Sequence, residues 1–228
     1  MGCSVTFSAR WSRMGETILI LANGTWGATQ RVERLAAACS WILATDGAWT
    51  KARATGLRVD EVIGDLDSLS AVARETLASA DVSVLQYPVE KDKTDLELAL
   101  DRAAERGASR VLLFGALGGR LDHALAAVQL LEAATTRDIH VSLISEWEDA
   151  WMARDAEAIP DACVGDRVSI LPLTSSAVVR TCGLKYPLHG ERLFRGSSRG
   201  VSNQVARLPI RIETLEGRVL IVHGRERI

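Results

Sequence analysis

The chain has 228 residues, of which 47% are hydrophobic and 25% charged, and 27 basic against 29 acidic side chains leave a formal net charge of −2. That apolar content supplies a core and excludes a disordered or fibrous chain, while the length accommodates one or two domains. The charge balance gives no broad basic field for nucleic acid, so an anionic ligand has to be held by a local cluster. Lysine occurs only at 51, 91, 93 and 185, and arginine, suited to bidentate phosphate contacts, carries the rest of the positive charge.

Residues 1–16 lack the apolar segment of a secretory signal and read as an unstructured extension; Gly2, Cys3 and Thr6 also fit a myristoylation pattern. From Thr17 onward, apolar runs at 18–22, 41–45, 61–65, 82–87, 111–115 and 140–145 alternate with amphipathic segments at 27–39, 70–80, 94–106 and 122–136. Continuous Val, Ile and Leu runs are what strands buried on both faces require, so residues 17–147 are predicted to form an α/β domain with a mostly parallel sheet and flanking helices. Thr94 is a helix cap with Glu97 at the capping-box position, which places Asp95 in the first turn. After residue 148 the texture changes to short segments at 167–171, 178–181, 184–188, 192–194, 208–214 and 218–223, punctuated by Gly and Pro. These predict an antiparallel β sandwich over 148–228, with 146–161 as the junction.

No apolar run reaches the ~18 residues of a membrane helix, and neither a membrane nor a nucleic-acid partner is expected. Cys3, Cys39, Cys163 and Cys182 are widely spaced and read as free thiols of a cytoplasmic protein.

Acidic turns follow several predicted strands, at the sheet rim where open α/β folds bind ligands. They are Asp46-Gly47-Ala48, Gly64-Asp65-Leu66-Asp67-Ser68 and Lys91-Asp92-Lys93-Thr94-Asp95. Asp65 and Asp67, two apart on an extended segment, point to the same side and suit a hard cation such as Mg2+, with Asp95 as a further carboxylate. Singly, such residues are mostly Asx turns and helix caps; several on one rim argue for a metal and phosphates. Gly118-Gly119-Arg120 offers backbone N–H groups and a guanidinium at a helix start, a phosphate-binding combination. Neither a P-loop nor a GxGxxG fingerprint is present. His123 reads as a surface or capping group rather than a base.

The segments GDLDS (64–68), KDKTDLELAL (91–100), GALGGRLDH (115–123), GLKYPL (183–188) and GVSN (200–203) stand in the order and spacing of thiamine pyrophosphokinases, which the chain resembles from about Thr17 onward. The resemblance implies a homodimer with its active site at the subunit interface. It also implies Mg2+-dependent transfer of a diphosphate group from ATP to the hydroxyl of thiamine, giving thiamine diphosphate and AMP. Matched by motif, Asp65, Asp67 and Asp95 are the metal carboxylates, with Arg120 and Asp122 as further catalytic residues and Asp122 as a hydroxyl-orienting group or base. Asp46, Gly47, Lys93, Thr94, Gly118, Gly119 and Arg120 are matched to the nucleotide, and Ser202 and Asn203 to thiamine.

Two departures stand out. Ala48 replaces the second glycine of the usual DGG turn, reducing backbone freedom, and 219–222 read Val-Leu-Ile-Val where animal-type members carry a Trp near the C-terminus. Two rival readings are a DxD-type nucleotidyl or glycosyl transferase, which leaves GLKYPL and GVSN unexplained, and a non-catalytic thiamine or nucleotide sensor, which has no need of the intact carboxylates.

Overall fold

The computed structural model describes residues 15–135 and 137–225. They form two compact units divided between Glu146 and Trp147. The readings made for residues 1–14 lie outside the described residues. No helix among them is long and apolar enough to cross a membrane. Cys39 and Cys182 are free thiols, and burial pushes the Cys39 thiol up to about 11 despite Arg110 and Arg58 nearby.

In the first unit the chain runs β1 (Glu16–Leu21), α1 (Gln30–Ala38), β2 (Trp41–Thr45), α2 (Asp46–Ala54), β3 (Glu61–Gly64), α3 (Ala71–Ala78), β4 (Ser83–Gln86), α4 (Asp95–Glu105), β5 (Ala108–Phe114), α5 (Leu121–Thr135) and β6 (His140–Ile144). The six strands pair in parallel in the order β6-β5-β1-β2-β3-β4. Central β1 is buried without alternation from Ile18 to Leu21, as helices on both faces demand, whereas the edge strand β4 is largely exposed. The winding direction reverses between β1 and β5. The crevice beyond their carboxyl ends is where such sheets bind ligands. Phe114 of β5 meets Trp26 edge to face at 5.6 Å under this rim.

Helix α2 was not expected. Residues 46–48 read as a turn, but Asp46 opens a nine-residue helix whose Ala48, Trp49 and Ala52 are buried. A helix this short with Gly47 in its first turn has little intrinsic stability, and its packing against the sheet decides its form. Neither Gly47 nor Ala48 has a positive φ, so alanine meets no strain in the place of the second glycine.

In the second unit the strands are β7 (Glu148–Met152), β8 (Ala156–Ala158), β9 (Arg167–Pro172), β10 (Ser176–Cys182), β11 (His189–Phe194), β12 (Asn203–Gln204), β13 (Arg211–Glu216) and β14 (Val219–Gly224). They build two antiparallel layers, β12-β9-β14-β7 and β11-β10-β13-β8. Trp151, Ile170 and Ile221 of one layer share a core with Val179, Leu193 and Ile212 of the other, so the unit is a sandwich. Two readings need correction. The segment taken as a junction contains β7 and β8, because β7 buries Ala150, Trp151 and Met152 behind two leading acidic residues that mask its apolar character. Residues 184–188 are no strand but a turn with one bridge, Leu184 to Val205, following left-handed Gly183 and including Pro187, which has no N–H for a ladder.

Candidate active site

Parallel pairing of β2 with β3 brings Asp46, just past β2, beside Asp65 and Asp67, just past β3. One carboxylate oxygen from each of the three lies within 4.8 Å of the others. Asp46 is only 5% exposed. Its Oδ1 accepts a hydrogen bond from the Gly47 N–H at 2.6 Å, while its Oδ2 is buried without a partner. Gly64, at φ +150°, turns its bare Cα to this carboxylate, and a β-carbon there would stand 3.1 Å from Asp46 Cγ.

Asp65 and Asp67 do face the same side, but not through an extended segment. Leu66 between them is left-handed, with φ 64°, an uncommon state for leucine. Its side chain packs against the core of the first unit, and the Asp67 N–H donates to Asp65 Oδ1 at 3.2 Å. Strain of this kind persists only where the surroundings over-determine it, and it concentrates at functional sites.

Lys91, which sequence reasoning did not single out, is the cation of this cluster. Its Nζ donates to Asp65 Oδ2 at 2.6 Å and lies 3.1 Å from Asp95 Oδ1. Its only signal in the sequence was its place four residues before Asp95. The hydrogen bond from Lys91 holds the Asp65 carboxyl below the usual range. The Asp65 carboxylate, through its hydrogen bond with Asp67 and its negative charge, pushes the Asp67 carboxyl up, and burial raises Asp95 against the pull of Lys91. Both shifts have the sign that burial and neighbouring negative charge produce.

Other matched residues fall elsewhere. Lys93 turns outward to Asp101 at 2.6 Å, which Arg137 also contacts, and so lies with the α4 and α5 side chains rather than the three carboxylates. Thr94 caps α4, its Oγ1 accepting from the Glu97 N–H at 3.2 Å as the sequence predicts. At the β1/β5 crevice the Gly24 N–H donates to Gly115 O at 2.7 Å, and the Thr25 N–H to Leu117 O at 3.1 Å. Lys51 Nζ donates to the carbonyls of Asn23 and Gly24, each at 2.7 Å, fixing this loop from α2. Gly118 and Gly119 are left-handed, with φ 80° and 92°, and a side chain at Gly118 would overlap Thr25. Arg120 follows, largely exposed, and its Nη2 donates to Asp122 Oδ2 at 2.6 Å and its Nε to Oδ1 at 3.1 Å. That bidentate pair holds the Asp122 carboxyl down to about 2.

In the second unit Asn203 is buried, and its side chain bonds to backbone groups of that unit. Its Oδ1 accepts from the N–H groups of Tyr186 and Gln204, and its Nδ2 donates to Tyr186 O at 2.6 Å. It ties the GLKYPL turn to the GVSN segment. Ser202 beside it is exposed and left-handed at φ 56°, its N–H donating to Ser169 Oγ at 3.0 Å. Val219, Leu220 and Ile221, in the region without the Trp, are buried strand residues.

A thiamin pyrophosphokinase catalytic-domain model matches residues 32–143, and the vitamin B1 binding-domain model of the same enzymes matches 157–219. The chain belongs to the thiamine pyrophosphokinase family. The thiamine pyrophosphokinase of Bacillus subtilis is 33% identical over 147 residues, 64% of this chain and 69% of that protein. A crystal structure of thiamine pyrophosphokinase from Bacillus subtilis superposes with a TM-score of 0.81 at 26% identity, covering 93% of this chain and all of that one. The enzyme from Geobacillus thermodenitrificans gives a TM-score of 0.78 at 28% identity, covering 92% of this chain and 98% of that one. Family membership over both units leaves the transferase and sensor readings without support.

Proposed function

We propose that the chain transfers a diphosphate group from ATP to the hydroxyl of thiamine, giving thiamine diphosphate and AMP. The observation that carries the reading, in a chain of this family, is the carboxylate cluster at the sheet rim with an unpartnered, buried Asp46 oxygen. These hard oxygen donors fit Mg2+, with Asp46, Asp65 and Asp67 as ligands and Asp95 as the neighbouring carboxylate across Lys91. Bound there, the ion would polarise phosphate oxygens and neutralise their charge.

The remaining roles belong to the chain's own side chains. Gly118, Gly119 and Arg120 bind phosphate oxygens through backbone N–H groups and the guanidinium. Asp122 orients that guanidinium through the two hydrogen bonds that its carboxylate accepts from Arg120. Lys51 keeps the Asn23-Gly24 loop in place beside the crevice. Ser202 contacts thiamine, and Asn203 holds the segment that presents it. Phosphoryl-type transfers need little covalent help from the protein, so position and charge dominate the rate.

We further propose a cytoplasmic homodimer whose subunits complete each other's sites. Leu121 and Leu125, four residues apart on α5 and both exposed, give that helix an apolar face that suits a subunit interface. The deciding experiment is mass spectrometry of products from thiamine and MgATP. Thiamine diphosphate with stoichiometric AMP is expected. ADP with thiamine monophosphate, or no product, would overturn the reading, and a monomeric sedimentation profile would overturn the dimer.

A further inference from the structure

Four carboxylates, from Asp46, Asp65, Asp67 and Asp95, gather at the rim against very little positive charge. Lys91 reaches two of them, at 2.6 and 3.1 Å. The other nearby cations are engaged elsewhere: Lys51 on the Asn23 and Gly24 carbonyls, Lys93 on Asp101 and Arg120 on Asp122. Lys91 is also sheltered. Its side chain is 14% exposed and that of Asp65 12%, so water screens their attraction poorly. A divalent ion held by Asp65 would therefore sit next to a fixed positive charge on the same carboxylate.

We propose that Lys91 is a positioning residue that acts as the resident counter-ion of the metal site. It keeps Asp65 and Asp95 together while no metal is bound, and its repulsion of an incoming divalent ion sets a ceiling on the site's affinity. One of the Asp65 oxygens is committed to the lysine, which leaves Oδ1 to share with the ion. The role has a physical signature that separates it from plain structural support. Removing a merely structural lysine weakens cation binding by loosening the ligands. Removing a counter-ion strengthens it, because the ion no longer competes with a neighbouring charge.

The inference rests on the reading of the carboxylates as a metal site, and the test separates the two. Mn2+ is titrated calorimetrically, without nucleotide, into the full-length wild type, Lys91→Met and Lys91→Arg, with melting temperatures recorded with and without the ion. Lys91→Met is expected to bind Mn2+ about tenfold tighter, a gain typical of removing one poorly screened like charge. It is also expected to melt lower than wild type without metal and to gain more from its addition. Lys91→Arg keeps the charge and is expected to bind Mn2+ as the wild type does. Equal or weaker binding by a folded Lys91→Met protein overturns the inference. Should that variant not fold, Lys91→Gln is read by the same sign. A wild type that binds no Mn2+ overturns the metal-site reading itself.

Discussion

Each unit contains a group of acidic side chains at metal-ligand distances, and the two differ in what stands opposite the charge. At the rim of the α/β unit, Asp46, Asp65 and Asp67 converge and an Asp46 oxygen is buried with no partner. In the sandwich, Asp149, Asp161 and His223 converge just as closely. There, however, Arg225 Nη2 donates to Asp149 Oδ2 at 2.7 Å and to Asp161 Oδ2 at 2.9 Å, and His223 Nε2 meets Asp166 Oδ2 at 2.8 Å. Titration follows the resident partners: Asp65, bonded to Lys91, is lowered like the paired acid of the sandwich. Burial alone would raise Asp161, but Arg225 and His223 hold it below the usual range, whereas Asp67 and Asp95 are raised. Proximity of carboxylates is therefore a poor guide to a cation site. The supply of resident partners separates a site from a staple.

This contrast is open to attack from both ends. The largest effect is expected at the rim: Asp65→Asn and Asp95→Asn should fold normally yet lose on the order of 10²-fold or more in kcat, the scale of removing a key electrostatic group. Near-native formation of thiamine diphosphate by both would end the parallel between orphaned charge and function. In the sandwich the expectation inverts. Arg225→Met leaves Asp149 and Asp161 facing each other half-buried, and should cost about 2–3 kcal/mol in urea unfolding while kcat stays near wild type.

Between these extremes, Asn203→Ala removes the two hydrogen bonds to Tyr186 that hold the 183–188 turn, and a third from the Gln204 N–H. It should raise KM for thiamine by roughly tenfold, the equivalent of one net hydrogen bond, and leave kcat within about twofold. An unchanged KM would separate this turn from thiamine binding. The smallest effect is on pH dependence. Asp161 has a depressed folded pKa, so its stabilising contribution is full above its unfolded value of 3.8 and fades as pH falls through the folded one. In Arg225→Met that acid-side loss should flatten, seen as a shallower fall of the urea midpoint below about pH 4.

What could be read from the sequence follows from which forces are local. The parallel sheet was legible because strands such as 18–21 and 111–114 are apolar without a break, which only burial on both faces allows. Thr94 was legible as a cap because its hydroxyl acts on an N–H three residues away. Asp46 was legible on the same rim as Asp65 but not as a member of its carboxylate cluster, since the pairing of β2 with β3 is what closes two turns nineteen residues apart to within reach. Lys91 and Lys93 flank one aspartate and look equivalent along the chain. The loop conformation alone sends one inward to Asp65 and the other outward to Asp101. β7 was missed for a related reason, because its burial comes from β14, about seventy residues later. Leu66 was misread as extended, since nothing in a leucine signals a left-handed backbone.

That leucine has a kinetic consequence. Its side chain is packed on the core and the Asp67 N–H is bonded to Asp65 Oδ1, so the chain itself holds the acidic turn in shape. On the proposed reading of these carboxylates as a metal site, loading a cation there exchanges water for carboxylate oxygen with no chain segment to order. It should proceed in a single fast phase, with a small heat-capacity change. Leu66→Gly would relieve the backbone strain and remove the anchor together, and the same event would become slower and entropically costly.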